Sequence, residues 1–307
     1  MDIKQQFEEA LNDFIEKVKE DRNILAVILF GSLSYDTVWE KSDIDLMLIT
    51  RDMKPTGRNA EQRDGFALTE RDINIHAILM SRSEFKKTIE GSLDSSFIHS
   101  SFSKSSLMYT YDESIKDLYK TAMELGSRDR QVQLFRAGAL ALPMLYKAEK
   151  FLFHKNDPQY SFLWITYMYS WLAQIETYTH HQIAGREVIH QALALNPDFF
   201  NEIYTNLLNI EKTTPTITAV LVSIDRYLSE KIPLLFQPLL DYLQQEGRIV
   251  SITEISHWLN TEMNINNGVI VCEWLADKGI IHKASSPVRL TQKSLIELEE
   301  LAFYYEN

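Results

Sequence analysis

The chain has 307 residues, of which 45% are hydrophobic and 24% are charged, a composition typical of a folded globular protein and not of an extensively disordered one. No apolar run reaches the roughly 18 residues that a membrane-spanning helix requires, so we expect no membrane partner. The net charge of −12 argues against nonspecific binding to nucleic acid, because such binding depends on Lys and Arg side chains that neutralise phosphates.

The cysteine content and the first residues indicate a compartment. The single cysteine, Cys272, excludes an internal disulfide framework and fits a reducing environment. The chain starts without the basic segment and apolar block of a signal peptide. We therefore expect a cytoplasmic location, and we expect Cys272 to be buried because the run around it is apolar.

The first part of the chain predicts a mixture of helices and strands. Apolar residues recur at helical spacing over residues 2–21, which predicts an amphipathic helix. The segment 51–71 is polar and is expected to be a loop. Strands are predicted at 24–30, 43–50, 72–80 and 107–111, and helices at 81–90 and 113–125.

The first predicted strand runs directly into Gly31 and Ser32. Glycine lets the backbone pass close to a ligand because it has no Cβ atom. The Ser32 hydroxyl, together with the backbone N–H groups of a short helix predicted over 33–40, can hold phosphate oxygens. The turn is therefore predicted to bind the phosphates of a nucleotide.

Two carboxylates open the next strand, at Asp43 and Asp45, where Asp43 is 11 residues after Ser32. Residues i and i+2 of a strand share a face, so the two carboxylates point the same way while Ile44 and Leu46 face the core. Two hard oxygen ligands suit Mg²⁺, and two such ions can clamp an in-line displacement at phosphorus. The order of motifs predicts a triphosphate beside metal ions; a tight turn followed by surface aspartates is the alternative.

This arrangement, an apolar strand, Gly-Ser, a spacer of about ten residues and Asp-x-Asp, resembles the DNA polymerase beta-like nucleotidyltransferase superfamily. It resembles in particular the small bacterial branch of aminoglycoside and lincosamide nucleotidyltransferases, over residues 23–80. The resemblance implies that Gly31 and Ser32 bind a nucleoside triphosphate such as ATP. It also implies that Asp43 and Asp45 bind two Mg²⁺ ions for catalysis of nucleoside monophosphate transfer to an acceptor hydroxyl.

The family usually adds a third carboxylate from a later strand, and here the sequence departs from that pattern. Alternation places Asp72, Asn74 and His76 on one face of the strand 72–80. The position of the third carboxylate is occupied by Asn74, which carries no charge, so we predict that Asp72 replaces it as the third catalytic residue. The chain is then an active enzyme, a slow enzyme or a nucleotide-binding relative without catalysis. For His76 we expect a structural role, with contact to a phosphate or the acceptor as the alternative.

Residues 127–245 predict helices only, with an interruption near Pro143 and an aromatic segment over 161–180. In the antibiotic-modifying relatives a helical domain forms the acceptor pocket, so the aromatic side chains are expected either to line such a pocket or to fill the bundle core. Carboxylates that could deprotonate an acceptor are Glu149, Glu176 and Glu187, and the sequence favours none of them.

The last segment, 246–307, resembles a winged helix. Helices are predicted over 253–262, 264–278 and 294–305, and strands over 280–283 and 288–291. The second of these helices, which after a turn covers residues 266–277, contains no Lys or Arg, and the whole segment has five basic residues against nine acidic ones. DNA binding is therefore disfavoured, and a protein contact or homodimerisation is expected instead.

The sequence thus predicts an α+β protein with three domains. These are a nucleotidyltransferase domain with a mixed sheet and flanking helices at 1–126, a helical bundle at 127–245 and a winged-helix-like domain at 246–307. The predicted partners are a nucleoside triphosphate and an unidentified acceptor, a small molecule or a protein. A nucleotide-binding or regulatory protein without catalysis is the alternative.

Overall fold

The computed structural model describes residues 2–35, 38–52, 65–90, 105–123, 127–291, 293, 295–296 and 298–306. The chain divides into two compact units, Met1–Leu125 and Gly126–Asn307. A further division of the second unit at residues 245 and 246 stays a prediction. Among the described helices, none has both the length and the apolar character needed to cross a membrane.

The first unit contains helices on both sides of a sheet. Its described elements are α1 (Ile3–Val18), β1 (Ile24–Phe30), a 3-10 helix (Ser32–Tyr35), β2 (Ile44–Thr50), β3 (Gly65–Glu70), β4 (Ile73–Ser81), α2 (Arg82–Glu90), β5 (Ser106–Thr110) and α3 (Glu113–Met123). The five strands lie in the order β3-β4-β2-β1-β5. Strand β2 runs parallel to β4, whereas the other neighbours are antiparallel. The predicted α+β class, with a mixed sheet and flanking helices, is confirmed.

The sheet has a buried core on each face, and the alternation along β2 divides its residues between them. Ile44, Leu46 and Leu48 belong to the core that contains α1. Ile49 belongs to the core that contains α2 and α3, and Met47 packs against that core. Burying apolar side chains on both faces fixes the register of β2, since a slip by one residue would exchange the two sets.

Two predictions for the first unit are wrong. Residues 65–70, which fall in the predicted loop, form edge strand β3; its side chains are largely exposed on both faces, so no alternation marked it as a strand. The helix predicted over 33–40 is a 3-10 helix of four residues. Its first bond runs from the Ser34 N–H to the Gly31 carbonyl, three residues back. The rest of the loop prediction, at 53–64, lies outside the described residues.

The second unit begins with helices. Its described elements are α4 (Ser127–Glu149), a π-helical segment (Lys150–His154), α5 (Pro158–Thr179), α6 (Val188–Leu195), α7 (Pro197–Phe200), a second π-helical segment (Asn201–Asn206), α8 (Leu207–Asn209), α9 (Thr214–Glu230), α10 (Ile232–Glu246), β6 (Val250–Ser251), α11 (Ile252–Met263), α12 (Gly268–Asp277), β7 (His282–Val288) and β8 (Leu298–Tyr304). Helices α5, α10 and α12 all pack on α4.

Helix α4 continues through Pro143, so the predicted interruption there is wrong. Proline inside a helix removes one hydrogen bond and costs about 3 kcal/mol. The flanking residues Ala139, Leu142 and Leu145 are fully or almost fully buried, and their packing outweighs that cost. The aromatic segment of α5 is divided: Tyr169 and Tyr178 are buried in the core, Tyr167 is exposed, and the remaining rings are partly buried.

The C-terminal segment differs from its prediction in two elements. The predicted terminal helix over 294–305 is wrong, because Leu298–Tyr304 is strand β8. It is the central strand of a three-stranded sheet with the order β6-β8-β7, and it buries Ala302 and Phe303. The two predicted short strands are replaced by one strand, β7. Cys272 is buried, as expected. The winged-helix character of this segment stays a prediction.

Candidate functional site

The acidic pair lies at the beginning of β2. Asp43 immediately precedes the strand and Asp45 is its second residue. Ile44, between the two aspartates, is fully buried, and Leu46, which follows Asp45, is only 1% exposed. Both carboxylates therefore point to the face opposite α1, as the alternation of the sequence predicts. On that face, Asp43 and Asp45 are 38% and 36% exposed.

The turn after β1 brings its backbone against Asp45. Gly31 has a φ of +75°, a conformation that residues with a side chain rarely adopt. A Cβ atom at this position would lie 2.3 Å from Asp45 Oδ2. The Gly31 carbonyl accepts hydrogen bonds from the Ser34 N–H at 3.1 Å and the Ser34 hydroxyl at 2.8 Å. Glycine is thus required here both by the backbone conformation and by the closeness of the carboxylate.

Ser32 follows Gly31 and opens the 3-10 helix. Its side chain is partly exposed. The next residue, Leu33, is buried in the α1 core and anchors the turn. The turn that was predicted to hold phosphates therefore lies next to Asp45, on the same edge of the sheet.

His76 of β4 completes the cluster. In the registers of β2, Asp45 is paired with Phe30 on one side and His76 on the other. His76 Nδ1 lies 2.9 Å from Asp43 Oδ2 and 3.7 Å from Asp45 Oδ1. The imidazole is 53% exposed, so solvent and ligands can reach it. The half-exposed ring therefore lacks the surroundings of a buried structural histidine, and contact with a phosphate or the acceptor, the alternative for His76, stays a prediction.

The other two residues considered for the third position lie elsewhere on the β3–β4 hairpin. Asn74 is exposed on the same face as His76, two residues earlier, and is paired with Thr69. Asp72 has a φ of +61° and lies in the tight turn between the strands, next to Arg71. The structure therefore brings His76 against the acidic pair, and Asp72 is not part of that group. The roles of Asp72 and Asn74 in the site stay predictions.

The three side chains form a set of donors that fits a divalent cation. Within the part of the chain that the structure describes, Asp43, Asp45 and His76 are the one group of three or more acidic, histidine or cysteine residues arranged to hold a metal ion. Their ligand atoms lie within 4.8 Å of one another. Adjacent ligands around an octahedral ion are about 3 Å apart when each is about 2.1 Å from the metal. The distances from His76 to the two carboxylates are close to that spacing.

Glu176, one of the three carboxylates that could deprotonate an acceptor, has a different environment. It is buried in α5, where its Oε2 accepts a hydrogen bond from the Tyr227 hydroxyl at 2.7 Å and lies 3.6 Å from Lys231 Nζ. Burial, and then the nearby Glu176, raise the pKa of Tyr227, so the phenol stays a donor. His180 Nδ1 lies 3.4 Å from Glu176 Oε1. This carboxylate is engaged by donors from the bundle and has the contacts of a structural residue.

The comparison with protein families concerns the same stretch of chain. Residues 12–114 match the protein-family model described as Polymerase beta, Nucleotidyltransferase. Gly31, Ser32, Asp43, Asp45 and His76 all lie inside the matched stretch. Among curated proteins, none matches the sequence.

The fold of the chain is similar to that of a nucleotidyltransferase-like protein from Exiguobacterium sibiricum 255-15, whose crystal structure has a resolution of 1.90 Å. The TM-score is 0.63 and the sequence identity is 16%, over 97% of this chain and 99% of that chain. At this identity the likeness shows a shared fold. Together with the family match, it supports a nucleotidyltransferase domain of the polymerase beta type within the first unit.

Proposed function

We propose that the first unit is a metal-dependent nucleotidyltransferase, which moves a nucleoside monophosphate from a triphosphate to an acceptor hydroxyl. The observation that carries this proposal is the position of Asp43 and Asp45: both carboxylates face the same way, and the Gly31 turn passes directly over one of them. A stretch that matches a nucleotidyltransferase family model contains all of these residues. The Mg²⁺ dependence expected from the sequence is part of the proposal.

Each side chain has a role in this reaction. Asp43 and Asp45 hold the divalent cation, and His76 lies where it can provide a third ligand. Gly31 and Ser32 bind the triphosphate through backbone N–H groups and the serine hydroxyl. Bound metal supplies charge stabilisation to the phosphate oxygens and orients the reacting groups.

The reaction is an in-line displacement at the α-phosphorus. The acceptor oxygen forms a bond to that phosphorus, the bond from the phosphorus to the oxygen that bridges to the β-phosphate breaks, and pyrophosphate leaves. The acceptor hydroxyl gives its proton to solvent. Positioning and electrostatic stabilisation supply most of the rate in reactions of this class. The acceptor is proposed as a small molecule or a protein, both of which fit this chemistry.

The first test is a thermal-shift titration of the wild-type protein with ATP, GTP, CTP and UTP, in the presence of divalent cation and in the presence of EDTA. We expect stabilisation by at least one triphosphate, and we expect EDTA to remove it. The double variant Asp43→Ala/Asp45→Ala should show no such shift. A triphosphate at 100 times its dissociation constant stabilises by about 2.7 kcal/mol, which is readily measured.

A matched control for the double variant is Asp112→Asn, which removes one carboxylate near the other end of β2. It should keep the full shift with nucleotide and metal. Equal shifts in the wild type and the double variant would place the triphosphate elsewhere and contradict the proposal. Absence of a shift with all four triphosphates at millimolar concentration would also contradict it.

A second function, nucleotide binding for regulation without transfer, is favoured by one observation. The side chain opposite Asp45 on β4 is His76, and a third carboxylate is absent from the Asp43 cluster among the described residues. The two functions differ in their products. A thermal shift with triphosphate, but no pyrophosphate release across a broad panel of hydroxyl acceptors, would favour the regulatory function.

A further inference from the structure

We infer that the site formed by Asp43, Asp45 and His76 selects a transition-metal ion of the Mn²⁺ or Co²⁺ type over Mg²⁺. This inference rests on the proposed function, since it concerns the cation of the same site. The inferred preference differs from the sequence-based expectation, in which two carboxylates alone favour Mg²⁺. The reason is the third side chain, which the pairing of β2 with β4 supplies.

The geometry makes His76 a ligand and not only a neighbour. Its Nδ1 atom lies 2.9 Å from Asp43 Oδ2 and 3.7 Å from Asp45 Oδ1. A cation held between Nδ1 and the carboxylates would therefore contact one nitrogen and oxygens from both aspartates. The ring is 53% exposed, so the cation can enter from solvent.

The backbone that carries His76 is held on both sides. Strand β4 is paired with β2 along Ile44–Thr50 and with β3 along Gly65–Glu70. The residues before and after His76, Ile75 and Ala77, are buried in the α1 core. A ligand on an internal strand with buried neighbours is held more precisely than one on a loop, so the backbone keeps His76 beside the acidic pair.

The donor set decides which cation binds more tightly. Mg²⁺ is a hard ion that takes oxygen ligands and keeps several waters. Imidazole suits transition metals, and for mixed nitrogen and oxygen sites affinity rises from Mn²⁺ to Co²⁺ and beyond. Replacing a third carboxylate by imidazole also lowers the ligand charge from −3 to −2. Mg²⁺ binding depends mainly on that charge and gains little from the nitrogen.

The imidazole also limits the number of ions that it can serve. A carboxylate has two oxygens and can bridge two cations, whereas His76 offers one nitrogen to the site. Without nucleotide, we therefore expect one tightly bound ion per chain, coordinated by the imidazole. A second ion would have only carboxylate and triphosphate oxygens as ligands, and its binding would require the nucleotide.

The experiment measures binding of Mn²⁺, Co²⁺ and Mg²⁺ to the full chain by calorimetry, without nucleotide, and follows the visible absorption of bound Co²⁺. The wild type should bind Co²⁺ and Mn²⁺ at least about tenfold more tightly than Mg²⁺, with one ion per chain. His76→Ala should weaken Co²⁺ binding by about 10–100-fold or more and change the Co²⁺ spectrum. His76→Asp should move the preference toward Mg²⁺.

The matched control is His154→Ala, which removes an exposed histidine of the second unit and should leave Co²⁺ affinity and spectrum unchanged. Melting temperatures verify that each variant is folded. Equal affinities of the wild type for Mg²⁺ and Co²⁺, or a Co²⁺ spectrum that His76→Ala does not change, would overturn the inference.

Those two outcomes would leave the proposed function standing, provided that Asp43→Ala/Asp45→Ala still abolishes metal binding. A different result would remove both. If the wild type binds none of the three ions, or if the double aspartate variant binds them as the wild type does, then neither the metal preference nor the proposed transferase site is correct.

Discussion

Strand β2 has carboxylates near both of its ends, and their surroundings differ. After the strand, Asp52 accepts a hydrogen bond from the Ser83 N–H of α2 at 2.9 Å. Nearby, Asp112 accepts from the Ser114 N–H at 2.9 Å and from the Ser114 hydroxyl at 2.7 Å, and its other oxygen lies 3.5 Å from Arg82. At the beginning of the strand, Asp43 and Asp45 both lie close to one imidazole, that of His76.

The difference separates a structural use of aspartate from the proposed functional one. Hydrogen bonds from Ser83 lower the pKa of Asp52, and the pKa of Asp112 is lowered mainly by the Ser114 hydroxyl, because these bonds stabilise the charged form. Both aspartates act as caps at the first turn of a helix, where N–H groups lack partners within the helix. At the other end of β2, two partly exposed carboxylates that point to the same face repel one another, and a bound cation would relieve that repulsion. The contrast predicts that the two ends respond differently to substitution.

The largest effect is expected for Asp43→Ala. Removing a ligand from the cation site should lower triphosphate-dependent pyrophosphate release by at least about 100-fold, since loss of even an outer partner of a metal costs about 10–100-fold. The free energy of unfolding should change by no more than about 0.5 kcal/mol, because the side chain is partly exposed and its removal relieves repulsion. Pyrophosphate release and urea unfolding measure the two quantities. Wild-type release in this variant would end the functional interpretation of the acidic pair.

A second prediction concerns the turn beside Asp45. Gly31→Ala should destabilise the protein by about 1–2 kcal/mol from the left-handed backbone alone, and the new Cβ atom should displace Asp45. The stabilisation by nucleotide and metal should then be lost. The measurement is the thermal shift with triphosphate and cation.

Gly279→Ala is the matched control for that variant. Gly279 has a similar φ of +70°, but a Cβ atom there would meet no atom within 4 Å, whereas at Gly31 it would lie 2.3 Å from Asp45 Oδ2. The control should carry the backbone cost and keep the full shift with nucleotide. A full shift in both variants would show that the closeness of Gly31 to Asp45 has no functional importance.

The third prediction tests the opposite end of β2. Asp112→Ala should lower the free energy of unfolding by about 0.5–2 kcal/mol, because the N–H groups at the start of α3 lose their cap. Metal binding and pyrophosphate release should remain at wild-type levels. Urea unfolding and calorimetry measure these properties. Loss of metal binding in a folded Asp112→Ala protein would contradict the separation of the two ends.

The smallest effect is expected in acid. The folded-state pKa of Asp112 is lowered, so its charged form contributes stability above the unfolded-state pKa of about 3.9, and that contribution is lost as the pH falls below it. Asp112→Asn keeps a capping oxygen but does not titrate. Between about pH 5 and pH 3, the free energy of unfolding should therefore fall less for Asp112→Asn than for the wild type. The difference between the two falls should be smaller than about 1 kcal/mol. Identical acid profiles would show that this cap does not depend on charge.

The sequence by itself determined the local parts of the candidate site. The apolar run before Gly31 and the alternation of Ile44 and Leu46 with Asp43 and Asp45 were sufficient to predict two strands, a turn between them and a common face for the carboxylates. These features depend on neighbours within a few residues, where the period of two and the special properties of glycine apply directly. The α+β class followed from the same patterns.

Strand pairing decided the rest. The alternation placed Asp72, Asn74 and His76 on one face, but only the parallel register of β2 with β4 puts His76, and not the other two, opposite Asp45. Asp72 falls in the β3–β4 turn because β3 forms, and β3 has exposed side chains on both faces that gave no signal of a strand.

The same reason explains the error at the C-terminus. Residues 298–304 contain Leu, Glu and Ala, which favour helices, yet they form the central strand between β6 and β7. Pairing on both sides and burial of Ala302 and Phe303 outweigh a local preference of a few tenths of a kcal/mol per residue. Contacts between residues far apart in the chain, which a single sequence does not encode in any local pattern, thus decided both the third member of the site and the form of the C-terminal sheet.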